Sequence, residues 1–329
     1  MEIGMDVTIG TFNLNNLFSR FNFQAEIQQI QPVGPDGELT SKYVFDDPEE
    51  VRIRTYKGKL IKGKASDDQD LIAKRIQAMD LDVLAVQEVE DIDTLRYFAA
   101  QHLGNAYKFL SLIEGNDPRL IDLAVLSKFP LGAVTSWQHA VHPAAPGERV
   151  FSRDLLEVDI LDPRDTDRRL LTLFNNHLKS KYVEHGVDPE EGKAAADARR
   201  HRQAESIARI VAARTRPNGR YLVLGDMNDS PHAATLAPLA TSAQLSLTEA
   251  LAHPQETREP KADEPPPPVS GSWTHRFKAT GQNAQYELFD QIWLSQSLTS
   301  QHKSSHIDRR TRHGGDGSDH DPAWVVLDF

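Results

Sequence analysis

Residues 221–231 read YLVLGDMNDSP, in which an apolar run changes abruptly to carboxylate and amide side chains. A short apolar run bounded by turn residues is typical of a buried β-strand. Asp226 and Asn228 would therefore follow the carboxyl end of this strand. Ligand-binding and catalytic side chains gather at such ends, because a rigid sheet holds them in place and leaves them open to substrate.

The same change from an apolar strand to polar side chains occurs three more times along the chain. It follows the runs 7–14, 82–87 and 169–175, and the side chains concerned are Asn13 and Asn15, Glu88, and His177. A turn or a helix cap would explain each one taken alone. Four such ends, together with Asp290 and the adjacent Asp319 and His320, favour a shared active site.

Strand and helix patterns alternate irregularly along the whole chain. Further strands are predicted over 107–113, 121–127, 154–161, 289–294 and 323–328, and helices over 67–80, 91–103 and 193–214. The polar segment 22–66 indicates an inserted excursion with a hairpin near Tyr56–Lys62, and the Pro-rich segment 254–271 indicates a stiff connector. Neither separates two self-sufficient cores, so we expect one α/β domain over residues 1–329 in which helices cover sheets.

Composition excludes several classes of protein. The 329 residues are 39% hydrophobic with a mean hydropathy of -0.50, and no stretch approaches the roughly 20 apolar residues of a membrane span. The absence of cysteine rules out disulfides, thiolate nucleophiles and cysteine-based zinc sites. No signal peptide is indicated at the start of the sequence, so a cytoplasmic location is favoured and a secreted mature form stays open.

The formal net charge of -11 argues against a protein that coats nucleic acid non-specifically. Two segments, 193–220 and 302–313, are nevertheless locally basic. The first is explained more simply as a solvated surface. The second runs directly toward Asp319 and His320, which makes Arg310 and Arg312 candidate substrate contacts beside the neighbouring Arg309.

The candidate ligands are carboxylate and amide oxygens with separate histidines. Such oxygen-rich sites suit hard ions, namely Mg²⁺, Mn²⁺ or Ca²⁺, whereas zinc favours grouped histidine or cysteine. A hard divalent ion together with a histidine is typical of enzymes that hydrolyse phosphate esters, in which the histidine takes a proton from the attacking water.

The chain carries, in this order, the stretches FNLNN, QEVED, IDLAVLSKFPL, FSRDLLEV, NNHLKSK, GDMND, FDQIWLS and GSDHDP. This series resembles the endonuclease/exonuclease/phosphatase superfamily, which includes pancreatic-type deoxyribonuclease and the abasic-site endonucleases. The resemblance covers most of the chain. It implies a four-layer α/β sandwich, in which two mixed β-sheets pack face to face and helices flank them.

The resemblance also implies a role for each matching residue. Glu88 would be the principal metal carboxylate, assisted by Asn13 and Asp319. His320 would be the general base, oriented by Asp290. The remaining roles are substrate contact for Asn15 and Arg153, binding or protonation at the scissile phosphate for His177, and positioning of nucleophile and phosphate for Asp226 and Asn228. Asp321, before Pro322, would be a turn residue.

Departures from the family pattern indicate which branch of the superfamily this chain resembles. The stretch YELFDQIW replaces the Pro-Ala-Trp-Cys-Asp-Arg signature of inositol phosphatases, and GDMNDSP replaces the Gly-Asp-Leu-Asn-Val-Ala-His of abasic-site endonucleases. His177 follows the deoxyribonuclease-like branch, because abasic-site enzymes carry tyrosine there.

The leading expectation is a metal-dependent nuclease that acts on DNA, RNA or both and works as a monomer. A phosphatase or phospholipid-type phosphodiesterase of the same superfamily is the second expectation, and a catalytically dead binding module is a remote third. An HD-type phosphohydrolase, suggested by His320 and Asp321, is disfavoured because that fold is helical and residues 322–329 read as a strand. Endonuclease and exonuclease action both stay open.

Overall fold

The computed structural model describes residues 4–18, 32–33, 38–39, 55–56, 59–60, 63–183, 186–257, 272–277, 281, 283–309 and 317–329. Most of the predicted excursion (22–66) and connector (254–271) lies outside these residues. Two short antiparallel strand pairs are described within the excursion, Pro32–Val33 (β2) with Glu38–Leu39 (β3) and Thr55–Tyr56 (β4) with Lys59–Leu60 (β5). The second pair is the hairpin expected near Tyr56–Lys62.

The described residues build a first sheet of seven strands. In spatial order they are Gln255–Thr257 (β16), His302–Asp308 (β20), Ala323–Asp328 (β21), Asp6–Leu17 (β1), Val83–Val89 (β6), Asp122–Ser127 (β8) and Phe109–Ile113 (β7). The strand pairs β1–β6 and β16–β20 are parallel and all other neighbours are antiparallel. The sheet is therefore mixed.

The second sheet has six strands and is also mixed. In spatial order they are Thr248–Glu249 (β15), Asp290–Leu294 (β19), Tyr221–Asp226 (β14), Asp165–His177 (β13), Leu155–Asp162 (β12) and Leu131–Ser136 (β9). Only β13 and β14 run parallel. Two further hairpins stand outside the sheets, Val141–His142 (β10) with Ala145–Arg149 (β11), and His275–Phe277 (β17) with Gln285–Glu287 (β18).

Three apolar clusters separate four layers. Between the sheets, side chains such as Ile9 and Val125 meet Val158 and Leu224. Helices Ser66–Met79 (α1) and Ile92–His102 (α2) pack on the outer face of the first sheet. Helix Pro189–Arg214 (α3) packs on the second sheet, near the short helices Ala234–Leu236 (3₁₀) and Ala237–Ala240 (α4). The short helix Gln296–Thr299 (α5) contacts β14 and β19, and its Leu298 belongs to the cluster between the sheets. This is the predicted four-layer α/β sandwich.

All nine strands and all three helices predicted from sequence are present, with ends that differ by a few residues. Strand β9 was not predicted, because LGAVTS is short and contains glycine. Strand β20 was not predicted either, because its histidines and serines break the apolar alternation. Within the described residues, no helix is both long and apolar enough to cross a membrane.

Candidate active site

Three neighbouring strands of the second sheet bring polar side chains into one row. His177 at the end of β13 pairs in register with Asp226 at the end of β14, and Asp226 pairs with Asp290 at the start of β19. Neighbouring strands lie about 4.8 Å apart. Because β13 and β14 run parallel and β19 runs antiparallel to them, two strand ends and one strand start meet at the same edge of the sheet.

In the first sheet, a β-bulge near the end of β6 changes the direction of the Glu88 side chain. The register shifts between Gln87 and Val89 in the pairing of β6 with both its neighbours, and Glu88 has a left-handed backbone with φ 64°. The facing part of β1 is irregular as well, with Asn15 at φ 47° and Asn16 at φ 62°. The backbone N–H of Asn16 donates to Glu88 Oε2 at 3.0 Å. Such bulges re-aim side chains at the rims of sheets.

Asn13 connects the two sheets at the site. Its Nδ2 donates to Asp226 Oδ2 at 3.0 Å, and its Oδ1 accepts from the backbone N–H of Asn15 at 2.9 Å. The Ser318 hydroxyl donates to the Asn13 carbonyl at 2.7 Å, which attaches the segment before His320 to β1. The second residue after β14 is fixed too, since the Asn228 N–H donates to Asp226 Oδ1 at 2.9 Å.

The predicted pairing of His320 with Asp290 is present. His320 Nδ1 lies 2.7 Å from Asp290 Oδ2, and both side chains are buried. Burial lowers the pKa of His320, but the carboxylates of Asp290 and Asp226 outweigh burial and hold that pKa well above its usual value. Burial raises the pKa of Asp226 to about 7, against the opposing effect of His320. This geometry fixes the ring through Nδ1 and places Nε2 3.9 Å from Asp226 Oδ2 in the site.

His177 has the opposite electrostatic environment. Burial and the guanidinium of Arg153 hold its pKa well below the usual value, so the ring is neutral at neutral pH. Its Nε2 lies 3.4 Å from Asp226 Oδ2 and 3.9 Å from Glu88 Oε1. Among the described residues, its Nδ1 has no hydrogen-bond partner. The pKa values of His320 and His177 are therefore shifted in opposite directions, which suits the two residues to different roles in proton transfer.

Arg153, expected to contact substrate, lies beneath the site. It is 3% exposed; its Nη1 donates to the Leu178 carbonyl at 3.2 Å, and its Nε lies 3.2 Å from Asp117 Oδ2. Arg119 pairs with the same Asp117 and leaves 44% of its side chain exposed. Arg119, which sequence reasoning missed, is therefore the more accessible of the two arginines. A substrate contact of Arg153 stays a prediction.

Arg200 is a second residue that sequence reasoning missed. It was part of the segment 193–220 interpreted as solvated surface, yet its side chain is fully buried in α3. Its Nε donates to Asp229 Oδ2 at 3.1 Å and its Nη1 to the Lys179 carbonyl at 2.6 Å. Arg200 thereby holds both the segment after His177 and the turn that contains Asn228.

The turn after His320 differs from expectation. Asp321 accepts a hydrogen bond from Arg75 at 2.9 Å and lies 3.6 Å from the guanidinium of Arg309. It is therefore the centre of a largely buried ion-pair cluster and more than a turn residue. Arg309 is 5% exposed and lies over the ring of Trp273, so it does not extend toward substrate. Residues 302–308 of the same basic segment form strand β20.

Asp319 is the exposed member of the site, with 52% of its side chain accessible. Its Oδ2 lies 3.9 Å from Nε2 of His275, a histidine in β17 that sequence reasoning missed because no apolar strand precedes it. Lys64, at the end of the predicted excursion, donates to the Gly317 carbonyl at 2.6 Å. Burial lowers the pKa of Lys64, while Asp68, Asp319 and Glu88 oppose that effect.

The structure therefore brings most predicted site residues together. Those in the site are Asn13, Asn15, Glu88, His177, Asp226, Asn228, Asp290, Asp319 and His320. Arg310 and Arg312 lie outside the described residues, and their substrate contacts stay predictions.

The residues fit a hard divalent ion. Burial and the neighbouring carboxylate of Asp319 raise the pKa of Glu88, because two negative charges near one another repel. A cation between them would offset that repulsion. Carboxylate oxygens together with the amide oxygen of Asn13 form the donor set that Mg²⁺ or Mn²⁺ prefers.

Comparison with solved structures finds the same fold elsewhere. The 3' phosphatase NExo from Neisseria, bound to product DNA hairpin, aligns with a TM-score of 0.56 at 15% identity over 98% of this chain and 100% of that chain. A humanized D. rerio TDP2 gives 0.55 at 12% identity, covering 98% of each chain. The human Nocturnin catalytic domain gives 0.53 at 16% identity, covering 98% and 96%. No curated protein matches the sequence.

At these identities the structures establish the fold alone, and the sequence itself establishes the family. Residues 10–320 match the model of the Endonuclease/Exonuclease/phosphatase family, whose members hydrolyse phosphoester bonds. The match includes every site residue described above. The chain belongs to the endonuclease/exonuclease/phosphatase family.

Proposed function

We propose that this protein is a divalent-metal-dependent phosphodiesterase that hydrolyses DNA, RNA or both by attack of a water molecule on a phosphodiester. The observation that carries the proposal is the 2.7 Å contact of Asp290 with His320, in a site that also contains Glu88 and His177. The Nε2 atoms of His177 and His320 then lie 3.4 Å and 3.9 Å from the same carboxylate oxygen, Asp226 Oδ2.

His320, once Nε2 has lost its proton, takes the proton of the attacking water there. Asp290 fixes the tautomer by accepting a hydrogen bond from Nδ1–H, and it stabilises the imidazolium that forms. Asp226, whose Oδ2 lies 3.9 Å from His320 Nε2, is close enough to orient the same water molecule. The carboxylate of Asp290 thus acts on the ring and that of Asp226 on the nucleophile.

His177 binds the scissile phosphate as a neutral hydrogen-bond donor. Its low pKa prevents it from competing with His320 for the proton. Asn228 and Asn15 provide amide groups beside it, and Arg119 adds positive charge from the adjacent loop. Glu88, Asn13 and Asp319 would hold Mg²⁺ or Mn²⁺, which would neutralise a phosphoryl oxygen when bound.

A nucleic acid is the favoured substrate. One structural neighbour is named as a 3' phosphatase bound to a DNA hairpin. Because family members also include phosphatases, a phosphomonoesterase or lipid phosphodiesterase is the alternative. We further propose, from the sequence alone, that the protein is a cytoplasmic monomer.

A substrate panel tests the proposal. It comprises single- and double-stranded DNA, RNA, abasic DNA, a hairpin with a 3'-phosphate, a small phosphomonoester and sphingomyelin, each with Mg²⁺, Mn²⁺ or EDTA. We expect cleavage of phosphodiesters, internal or terminal, only with metal. Release of phosphate alone, or activity confined to lipid, would establish the alternative.

His320→Ala should lower the cleavage rate by a factor of about a hundred or more, because it removes the proton acceptor. His142→Ala is the matched control, since His142 is also buried and pairs with Glu205 at 2.9 Å in another part of the molecule. Circular dichroism would verify that both variants fold. Equal activity of His320→Ala and wild type would contradict the mechanism.

A further inference from the structure

A third histidine stands beside the proposed proton acceptor. His275 in β17 forms an isolated antiparallel bridge with His320, which attaches its backbone directly to that residue. Its ring stacks on Phe289 at 4.9 Å with an interplanar angle of 15°, and lies 4.8 Å from the ring of His320. The bridge to His320 fixes the backbone of His275 and the stacking on Phe289 fixes its ring, so the fold determines the orientation of His275.

Three donor groups converge at this place. His275, Asp319 and His320 each offer one ligand atom, and these atoms lie within 4.8 Å of one another. The contact of Asp290 with Nδ1 leaves Nε2, 3.9 Å from Asp226 Oδ2, as the nitrogen of His320 that can bind a metal. A carboxylate that holds the far nitrogen of a metal-binding histidine is the usual support of a zinc ligand, since it fixes the tautomer and raises the basicity of the ring.

The donor set differs from that of Glu88, Asn13 and Asp319. Two imidazoles with one carboxylate suit a borderline ion such as Zn²⁺, which accepts three protein ligands and leaves a fourth position open. Mg²⁺ prefers oxygen ligands and retains its waters. Asp319 Oδ2 lies 3.9 Å from His275 Nε2, and about half of the Asp319 side chain is exposed.

We propose that His275, Asp319 and His320 form a zinc-class metal site whose occupation inhibits the enzyme. Zn²⁺ bound at Nε2 of His320 occupies the lone pair that otherwise accepts the proton of the attacking water. The same ion withdraws Asp319 from the oxygen-ligand site. The binding part of the proposal is independent of the reaction catalysed, and the inhibitory part rests on the proposed function.

Calorimetric titration of the metal-free protein with Zn²⁺ alone tests the binding part. Wild-type protein should bind Zn²⁺ in the presence of excess Mg²⁺, and His275→Ala should weaken that binding by about tenfold or more. His306→Ala is the matched control, because His306 is also half-buried and stacks on an aromatic ring, that of Trp324, at 4.8 Å. His275→Gln provides a second variant if the alanine variant does not fold.

Zinc affinity that is the same in His275→Ala, His275→Gln and wild type would overturn the proposal, and so would wild-type protein that binds no Zn²⁺. The inhibitory part is measured as the zinc concentration that halves the Mg²⁺-dependent rate, each variant being compared with its own rate without zinc. We expect this concentration to rise about tenfold in the His275 variants. Protein without Mg²⁺-dependent hydrolysis would refute the proposed function and leave the binding result standing.

Discussion

Asp122 is a buried carboxyl whose ionisation opposes folding. Burial raises its pKa to about 7, helped by the nearby Glu114, Asp117 and Asp154, although the N–H of Gly115 donates to its Oδ1 at 2.7 Å. Its Oδ2 has no hydrogen-bond partner among the described residues. Asp154 is in the same situation, again with a pKa raised to about 7 by burial.

These pKa values determine whether the free energy of unfolding rises or falls with pH. The folded protein holds the Asp122 proton up to about pH 7, whereas the unfolded chain releases it near pH 4, so the stabilisation present at low pH is lost as pH rises between these values. We expect the free energy of unfolding to fall between pH 5 and pH 8, and Asp122→Asn to reduce that fall by about 2 kcal/mol. Urea denaturation of both proteins at pH 5 and pH 8 measures the free energy of unfolding.

Asp6→Asn serves as the control for this measurement, because Asp6 has 57% of its side chain exposed. Asp6→Asn should leave the difference in the free energy of unfolding between pH 5 and pH 8 unchanged. An Asp122→Asn variant with the wild-type pH dependence would show that Asp122 is already ionised in the folded protein.

At the scale of elements, the site depends on how closely β14 approaches β13. Gly225, which precedes Asp226, has φ 130°, and a Cβ added there would lie 2.0 Å from the Asn176 carbonyl oxygen. Only glycine accepts both this backbone conformation and this contact. The register that places Asp226 between His177 and Asp290 therefore requires Gly225.

Gly225→Ala should consequently destabilise the protein by about 3 kcal/mol or more and displace Asp226, because backbone must move to admit the methyl group. Thermal and urea unfolding measure the first effect and the hydrolysis rate measures the second. Gly147→Ala is the matched control, since a Cβ at Gly147 meets nothing within 4 Å. Wild-type stability in Gly225→Ala would mean that the two strands separate at low cost.

Sequence reasoning located the strand ends because the change from apolar to polar residues is local. It also predicted the contact of Asp290 with His320, through the family resemblance. It did not locate the pairs of Arg75 with Asp321 or Arg200 with Asp229, which join residues 246 and 29 positions apart. No local pattern marks which arginine will be buried, since that depends on tertiary packing. His275 was missed for the same reason.

At the scale of the whole molecule, polar side chains join the two sheets at the site. Asn13 binds Asp226 across the interface, and below them Gln87 Nε2 donates to Asn175 Oδ1 at 2.8 Å. Glu88 and Asp226, carboxylates from the two sheets, lie 3.9 Å and 3.4 Å from the same atom, Nε2 of His177. A bound cation would attract both and so stabilise the assembled sandwich.

Mg²⁺ should therefore raise the thermal unfolding midpoint of the wild-type protein. A ligand at a hundred times its Kd stabilises the folded state by about 2.7 kcal/mol. Glu88→Gln should abolish this increase, because it removes the principal metal carboxylate. Glu249→Gln is the matched control, as burial also raises the pKa of Glu249, to about 7, at strand β15. A Mg²⁺-induced shift that is equal in Glu88→Gln and wild type would place the ion elsewhere.

The left-handed backbone of Asn15, Asn16, Glu88 and Asn228 has a consequence for directed evolution. A non-glycine residue in that conformation costs about 1 kcal/mol or more, least for asparagine, so glycine in place of Glu88 would relieve that backbone cost. At Glu88 it would also delete the proposed metal carboxylate. A library screened for heat resistance alone would therefore enrich inactive clones, and every round of such a screen needs a paired activity assay.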